Sequence, residues 1–403
     1  MKNIKLKSLF AVMFALLLLF GCSNSNGSET AEPAKTAEPA QQEQAIEEKA
    51  EPVTLHLFEG QALSEENWNL LLHEPLAKKY PHITVNIVNK GNGIQDLIAT
   101  GQQFDLYTEF QGYLGNFVQV DLLEDITPIA EKHGFDLSRF QPVAIDAIKE
   151  YSDPNELVAV PYFMQANALY YNKDIFDLFG AEYPKDGMFW EDVIELAKRM
   201  TRTFEGTNYY GLDPEHATRL AFPRSLVIVN GDTNTAEVNN EEWRKVFDLA
   251  KSIYSIPGNL PEKETDLNGG GIVRFMRNKN IAMLATIQII DRLKEASDSG
   301  VNWDLVQYPS YPDQPNVSGM VDLHVIGITK TSKHKDEAMK VIEVFTSDEV
   351  QLLAARKRPA ISPLNNPEMQ SQFGAEVDYL EGKNKDALFK SVPSPAPKFS
   401  DYY

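Results

Sequence analysis

Cysteine is almost missing from this chain: 403 residues carry one, Cys22. That excludes a disulfide framework and a thiolate metal site from whatever folds beyond it. A secreted domain of this size can build enough core to do without disulfides, as small ones usually cannot. Basic charge is short as well. The 38 Lys and Arg against 58 Asp and Glu leave a formal net charge of −20, which argues against a nucleic-acid partner and against electrostatic attachment to anionic lipid. Long apolar runs are also absent. The longest, Leu9 to Phe20, is too short to cross a hydrocarbon core of ~30 Å as a helix. No HExxH, GxSxG or P-loop is present, and the seven histidines show no metal-ligand spacing, so no catalytic centre, metal or cofactor is expected. Gly269-Gly270-Gly271 lacks a GK[ST] continuation and reads as a flexible loop.

What is present begins at the N-terminus. Lys2, Lys5 and Lys7 precede the apolar run, the pattern of a signal peptide over 1–21. Leu19-Phe20-Gly21-Cys22 resembles the lipobox of bacterial lipoproteins, with Phe20 bulkier than the small residue usual there. The resemblance implies cleavage before Cys22, acylation of Cys22 (palmitate among the chains), and a lipid anchor on the extracellular face of the cell membrane. Residues 23–52 are rich in Ser, Ala, Glu, Pro and Gln, with Ile46 the one branched aliphatic. Such a segment cannot bury enough surface to offset its ordering entropy, so 22–52 reads as lipidated cysteine plus disordered tether.

The rest exceeds one hydrophobic core, so two lobes are expected. Val53–Phe58 reads as a strand, and Ile83, Val85 and Ile87 alternate along a second. Phe104–Tyr107, Val158–Tyr162 and Ala168–Tyr171 are further candidates. Helical spacing groups Trp68, Leu71, Leu72 and Leu76; Trp190, Val193, Ile194 and Ala197; Trp243, Val246, Phe247 and Ala250; and Ala338, Val341, Ile342 and Phe345. The tryptophans therefore read as core. Alternating β and α elements indicate an α/β protein with mainly parallel sheets.

Several segments, taken in order, carry a family resemblance. Val160-Pro161-Tyr162, then Leu169-Tyr170-Tyr171-Asn172-Lys173-Asp174-Ile175-Phe176, Tyr183-Pro184-Lys185-Asp186-Gly187 and Trp190-Glu191-Asp192 resemble a signature of extracellular solute-binding proteins of ABC importers, family 1, maltose-binding-like. Phe104-Asp105-Leu106-Tyr107, Leu122 to Pro128, Asn280-Ile281-Ala282-Met283, Trp303-Asp304-Leu305-Val306 and Ile326-Gly327-Ile328-Thr329-Lys330 keep the same order. The resemblance implies a periplasmic-binding-protein type II fold, two α/β lobes with a ligand cleft between them. It assigns 53–165 and 316–350 to lobe one, and 166–315 and 351–403 to lobe two. The chain would cross near 163–167, 308–315 and 347–351.

The same resemblance directs attention to cleft residues. Glu109 and Tyr113 stand where sugar-binding relatives place a charged and an aromatic contact, and an ionised carboxylate such as Glu109 accepts paired hydroxyls. Gln165 stands at the first crossing, where its amide both donates and accepts. Glu59 and Gln61 follow the first strand, and Ser318, Asp322 and His324 the second crossing, His324 reading more simply as a strand residue. Many sugar binders place a stacking tryptophan after Ala282-Met283. Here the run is Thr286-Ile287-Gln288-Ile289, which leaves Gln288 as a polar candidate. Tyr113, Tyr162, Phe222, Tyr308 or Tyr311 must then stack any sugar ring, and Arg224 can fork onto a carboxylate or phosphate. The implied role is a monomeric receptor that binds a carbohydrate, an oligosaccharide or modified sugar, and delivers it to ABC permease subunits. An acidic or amine-containing solute, and a surface glycan-active enzyme, are the alternatives.

Overall fold

The computed structural model describes residues 51–400, apart from 62, 89–93 and 154. The expected signal segment, Cys22 and the expected tether through residue 50 lie outside the described residues.

Two five-stranded sheets organise the chain. The strands are β1 (Val53–Glu59), β2 (Ile83–Val88), β3 (Leu106–Phe110), β4 (Val160–Gln165), β5 (Asn167–Asn172), β6 (Arg202–Phe204), β7 (Thr207–Asp213), β8 (Ile281–Ile287), β9 (Trp303–Gln307), β10 (Val317–Met320), β11 (Asp322–Ile328) and β12 (Val392–Ser394). The first sheet runs β2-β1-β3-β11-β4 and the second β6-β7-β8-β5-β9, with β10 and β12 a separate pair. β1 lies parallel to β2 and β3, and β7 parallel to β8.

The sheets are more mixed than the expected mainly parallel ones. β11 is antiparallel to β3 and β4, and β5 is antiparallel to β8 and β9. The reason is connectivity. β5 and β11 each enter a sheet directly from the other lobe, with no crossover helix to return the chain to the starting edge.

Helices cover the sheets because their apolar spacing demands it. Trp190, Val193, Ile194 and Ala197 are all buried on helix Trp190–Met200. Its first turn is fixed by Asp192, whose carboxylate accepts from Phe189 N at 3.0 Å. Helix Glu241–Tyr254 starts at Asn240, whose Oδ1 accepts from Trp243 N at 2.9 Å. Phe247 departs from the expected apolar face there: it is 50% exposed and stacks on Trp243 with centroids 5.5 Å apart. The four tryptophans are buried. Side chains of β5 alternate between two cores, Leu169 and Tyr171 in one, Ala168 and Tyr170 in the other, as the two-residue strand period requires.

The chain passes between lobes at Ala166, where β4 gives way to β5, and again at Val321 between β10 and β11. β10 sides with the second lobe, packing on the 222–224 turn and β5. A crossing near 347–351 is not what the chain makes. Ser347 Oγ accepts from Val350 N at 3.3 Å and starts helix Asp348–Lys357. Arg139 of the first lobe holds that start, donating to Thr346 O at 3.0 Å and Asp348 Oδ1 at 2.8 Å. Residues 358–366 then run along the first lobe, with Met164 N donating to Ile361 O at 2.8 Å. The chain reaches the second lobe by Lys383, whose Nζ donates to Trp303 O at 2.6 Å.

Candidate functional site

Loops at the carboxyl ends of strands are free to face a neighbouring layer, and here they face each other. The first lobe contributes Gln61 after β1, the single turn Gln111–Tyr113 after β3, the end of β4 and the start of β11. The second contributes Glu215, His216, Arg219 and Phe222 after β7, and Ile287, Gln288, Ile289, Asp291 and Arg292 from the end of β8 onward. Together with Arg358 and Ala360 they enclose a cleft of about 620 Å³, within the size range of small-ligand sites.

Of the residues singled out in the sequence, Gln61, Tyr113, Gln165, Phe222, Gln288, Asp322 and His324 meet in this cleft. Gln165 and Asp322 are register partners of β4 and β11, with Nε2 and Oδ1 3.4 Å apart. Burial pushes the Asp322 carboxyl up to about 6, against the opposing pull of Arg219 and Gln165. Gln288 donates through Nε2 to Pro359 O at 2.7 Å, and so ties the second lobe to the first. Tyr113 is 56% exposed at the rim.

Glu59, Glu109 and Tyr162 do not reach the cleft wall, and Ser318 lines a separate hollow. Glu59 fastens its own loop, accepting from Leu63 N at 2.8 Å and Trp68 Nε1 at 2.6 Å. Glu109 lies buried behind Gln61, accepting from its Nε2 at 3.1 Å and from Phe110 N at 2.8 Å. Burial raises its pKa. Tyr162 is fully buried against Phe345, centroids 4.8 Å apart. In each strand the neighbouring residue lines the cleft instead: Phe110 beside Glu109, Phe163 beside Tyr162. Successive strand residues face opposite ways, and the chosen members point inward. Arg224, Tyr308 and Tyr311 belong to the second lobe's interior. Arg224 pairs with Glu242 at 2.5 Å and Asp313 at 2.6 Å and lies over Tyr311.

The cleft's most organised polar cluster lies at residues outside the sequence motifs. Arg219 forks onto Glu215, with Nε to Oε2 at 2.9 Å and Nη2 to Oε1 at 3.2 Å. Thr286 Oγ1 donates to the same Oε2 at 2.6 Å. Burial opposes the Glu215 charge, but Arg219 and Thr286 outweigh it and hold the pKa low. Glu215 has φ 68°, a left-handed conformation that costs a non-glycine residue energy and recurs at functional sites. The polar run Asp213-Pro214-Glu215-His216 directly after a strand was the available signal. On the opposite side Arg358 lies over Phe163, 4.5 Å from the centroid, and reaches Asp291 of the second lobe at 3.6 Å. His324 packs on Phe110, centroids 4.4 Å apart. Burial and then Arg358 push its pKa down to about 3, so the imidazole is neutral.

Gln111 Oε1, Gln288 Oε1, His324 Nδ1 and Arg358 Nε are buried polar atoms without a protein partner. All four residues line the cleft. Such an atom costs about 1–3 kcal/mol if nothing bonds it, so these are acceptor and donor positions open to a ligand or to water. Among the described residues no group of His, Cys, Asp and Glu is placed to hold a metal ion, and no helix is long and apolar enough to cross a membrane.

The family model described as bacterial extracellular solute-binding protein matches residues 61–352. The chain belongs to this family. Solved structures agree on the fold of this solute-binding protein. An ABC substrate-binding protein from Listeria monocytogenes, in complex with cycloalternan, is 22% identical, with a TM-score of 0.70 over 86% of this chain and 89% of that one. A sugar transporter from Rhizobium etli in an open conformation is 19% identical, TM-score 0.68, covering 86% and 88%. Maltose-bound MalE3 of T. maritima is 19% identical, TM-score 0.64, covering 87% and 90%. These are type II binding proteins of two lobes. In this solute-binding protein the cleft lining brings together amides, a forked guanidinium, carboxyl groups and aromatic faces.

Proposed function

We propose that this protein is the substrate-binding component of an ABC importer and that its cleft takes a neutral carbohydrate, a short oligosaccharide or modified sugar, for presentation to membrane permease subunits. The observation that carries this reading is the pairing of charge inside the cleft. Arg219 faces Glu215 and Arg358 faces Asp291, so these four side chains offer an acidic or amine-containing solute little unbalanced charge. Hydroxyls instead find the amides of Gln61, Gln111, Gln165 and Gln288, which donate and accept, and the faces of Phe110, Phe163 and Phe222. The sugars named with solved relatives, cycloalternan and maltose, support the same class. One chain supplies both walls of the cleft, which suits a monomeric receptor. Lipid on Cys22 would keep that receptor at the outer membrane face, where several acyl chains hold stably and one does not.

Thermal-shift and calorimetric titrations with cycloalternan, maltotriose and mannobiose, against galacturonate and spermidine, test the reading. A sugar at 100 times its Kd adds about 2.7 kcal/mol of stability. A shift with galacturonate or spermidine and none with any sugar overturns it, and turnover of a bound glycan would transfer the site to the enzyme reading.

A further inference from the structure

The last described stretch of the chain returns to the cleft after leaving it. β12 pairs with β10, and the segment beyond is fastened to the second lobe at successive points. Ser394 Oγ donates to Phe222 O at 2.7 Å, and Ser225 Oγ donates to Pro395 O at 2.7 Å. Lys398 is ion-paired with Asp232, and Ser400 Oγ donates to Asn234 Oδ1 at 3.2 Å. Between those two anchors Phe399 reaches the other lobe. Its ring lies 5.1 Å from that of Tyr151, and both rings border the cleft.

Two glycines make room for it, one on each lobe. A Cβ on Gly115 of the first lobe would stand 2.2 Å from Phe399 Cε2, and a Cβ on Gly231 of the second would stand 2.3 Å from Phe399 O. Gly115 sits inside helix Leu114–Val118 and has no positive φ. A turn conformation therefore does not explain the glycine there, whereas the aromatic ring does. The contacts to the second lobe are polar and directional, whereas the Phe399 ring meets the first lobe at Gly115 and Tyr151.

We propose that residues 395–400 form a strap carried by the second lobe, whose Phe399 ring is the detachable interlobe contact that walls the cleft and gates its opening. When the lobes part, the strap stays with the second lobe and the ring leaves its seat at Gly115 and Tyr151. When they close on a ligand, the ring returns as an aromatic face at the cleft mouth, a position suited to a sugar ring. The ligand class rests on the carbohydrate reading; the gating does not.

The test uses the full chain with Cys22→Ala and one spin label per lobe, at Glu131→Cys and Lys251→Cys, measured by pulsed electron resonance without ligand. Phe399→Ala is expected to shift the interlobe distance to longer values. Gly115→Ala, which favours its own helix but fills the seat, is expected to do the same. Unchanged distances in both variants overturn the strap, whatever the protein binds. Maltotriose and cycloalternan titrations supply the second arm, with affinity weakened roughly threefold to tenfold by Phe399→Ala. Longer distances with no sugar bound by any form leave the strap standing and remove the carbohydrate reading alone. Sugar binding at unchanged affinity and unchanged distance removes the strap alone.

Discussion

Asp322 opens β11 with its carboxyl held at a pKa of about 6, chiefly by burial. An aspartate in the unfolded chain titrates near ~4, so the folded form holds the proton more tightly. Its contribution to stability is therefore greatest below about pH 4 and is lost as pH rises toward ~6, after which it stays lost. Asp322→Asn removes that dependence. The stability difference between variant and wild type is expected to grow from near zero at pH 4 to on the order of 1–3 kcal/mol in the variant's favour above pH 7. Urea titrations at both pH values measure it, and an equal difference at each would refute the assignment. Arg219 is a different case. Its carboxylate partner Glu215 is largely buried, so Arg219→Ala leaves an uncompensated charge and is expected to cost about 3 kcal/mol. Ligand binding should be lost as well. Glu215→Gln with Arg219 retained should cost less, since Thr286 keeps an acceptor.

At the scale of elements, the loop after β1 depends on one missing methyl. A Cβ on Gly60 would fall 2.2 Å from Glu109 Oε2 and 2.6 Å from Thr108 O. Gly60→Ala is expected to destabilise by about 1–3 kcal/mol and to displace Gln61, weakening ligand affinity along with the melting temperature. Ser347 governs a helix start on the first lobe, and Ser347→Ala is expected to cost about 1 kcal/mol with ligand affinity unchanged. Calorimetric melting and titration of the two variants separate a loop that serves the cleft from a cap that serves the fold. Strand parity also belongs at this scale. A strand that reads correctly from its apolar residues still leaves open which of two neighbours faces the cleft, as Phe110 and Glu109 illustrate. That choice depends on which face the covering helices occupy, and no pattern within the strand encodes it.

At the scale of the whole molecule, two lobes joined by short crossings imply a hinge, and a ligand touching both walls favours closure. Small-angle scattering is expected to show compaction when a bound sugar saturates the cleft; a constant radius of gyration would contradict it. Labelled palmitate should enter the wild type and not Cys22→Ala, which should be found in the medium.

Local chemistry determined a good deal by itself. Strand and helix periods placed Trp190, Val193 and Ile194 in a core, and the ordered motifs pointed to the family. Each period and each single motif rests on neighbours within a few residues. Only tertiary structure decided the rest. Arg219, Arg358 and Phe399 come to the cleft from the loop after β7, from a segment running along the first lobe, and from the far end of the chain. Their roles depend on partners far away in sequence: Thr286 on the Glu215 that Arg219 holds, Asp291 against Arg358, and Gly115 beneath Phe399. The same holds for the crossings and for the antiparallel entry of β5 and β11, which follow from where the chain leaves one lobe and joins the other. Sequence pattern reports what a residue's own element must bury; a cleft between two lobes is made from what those elements leave facing each other.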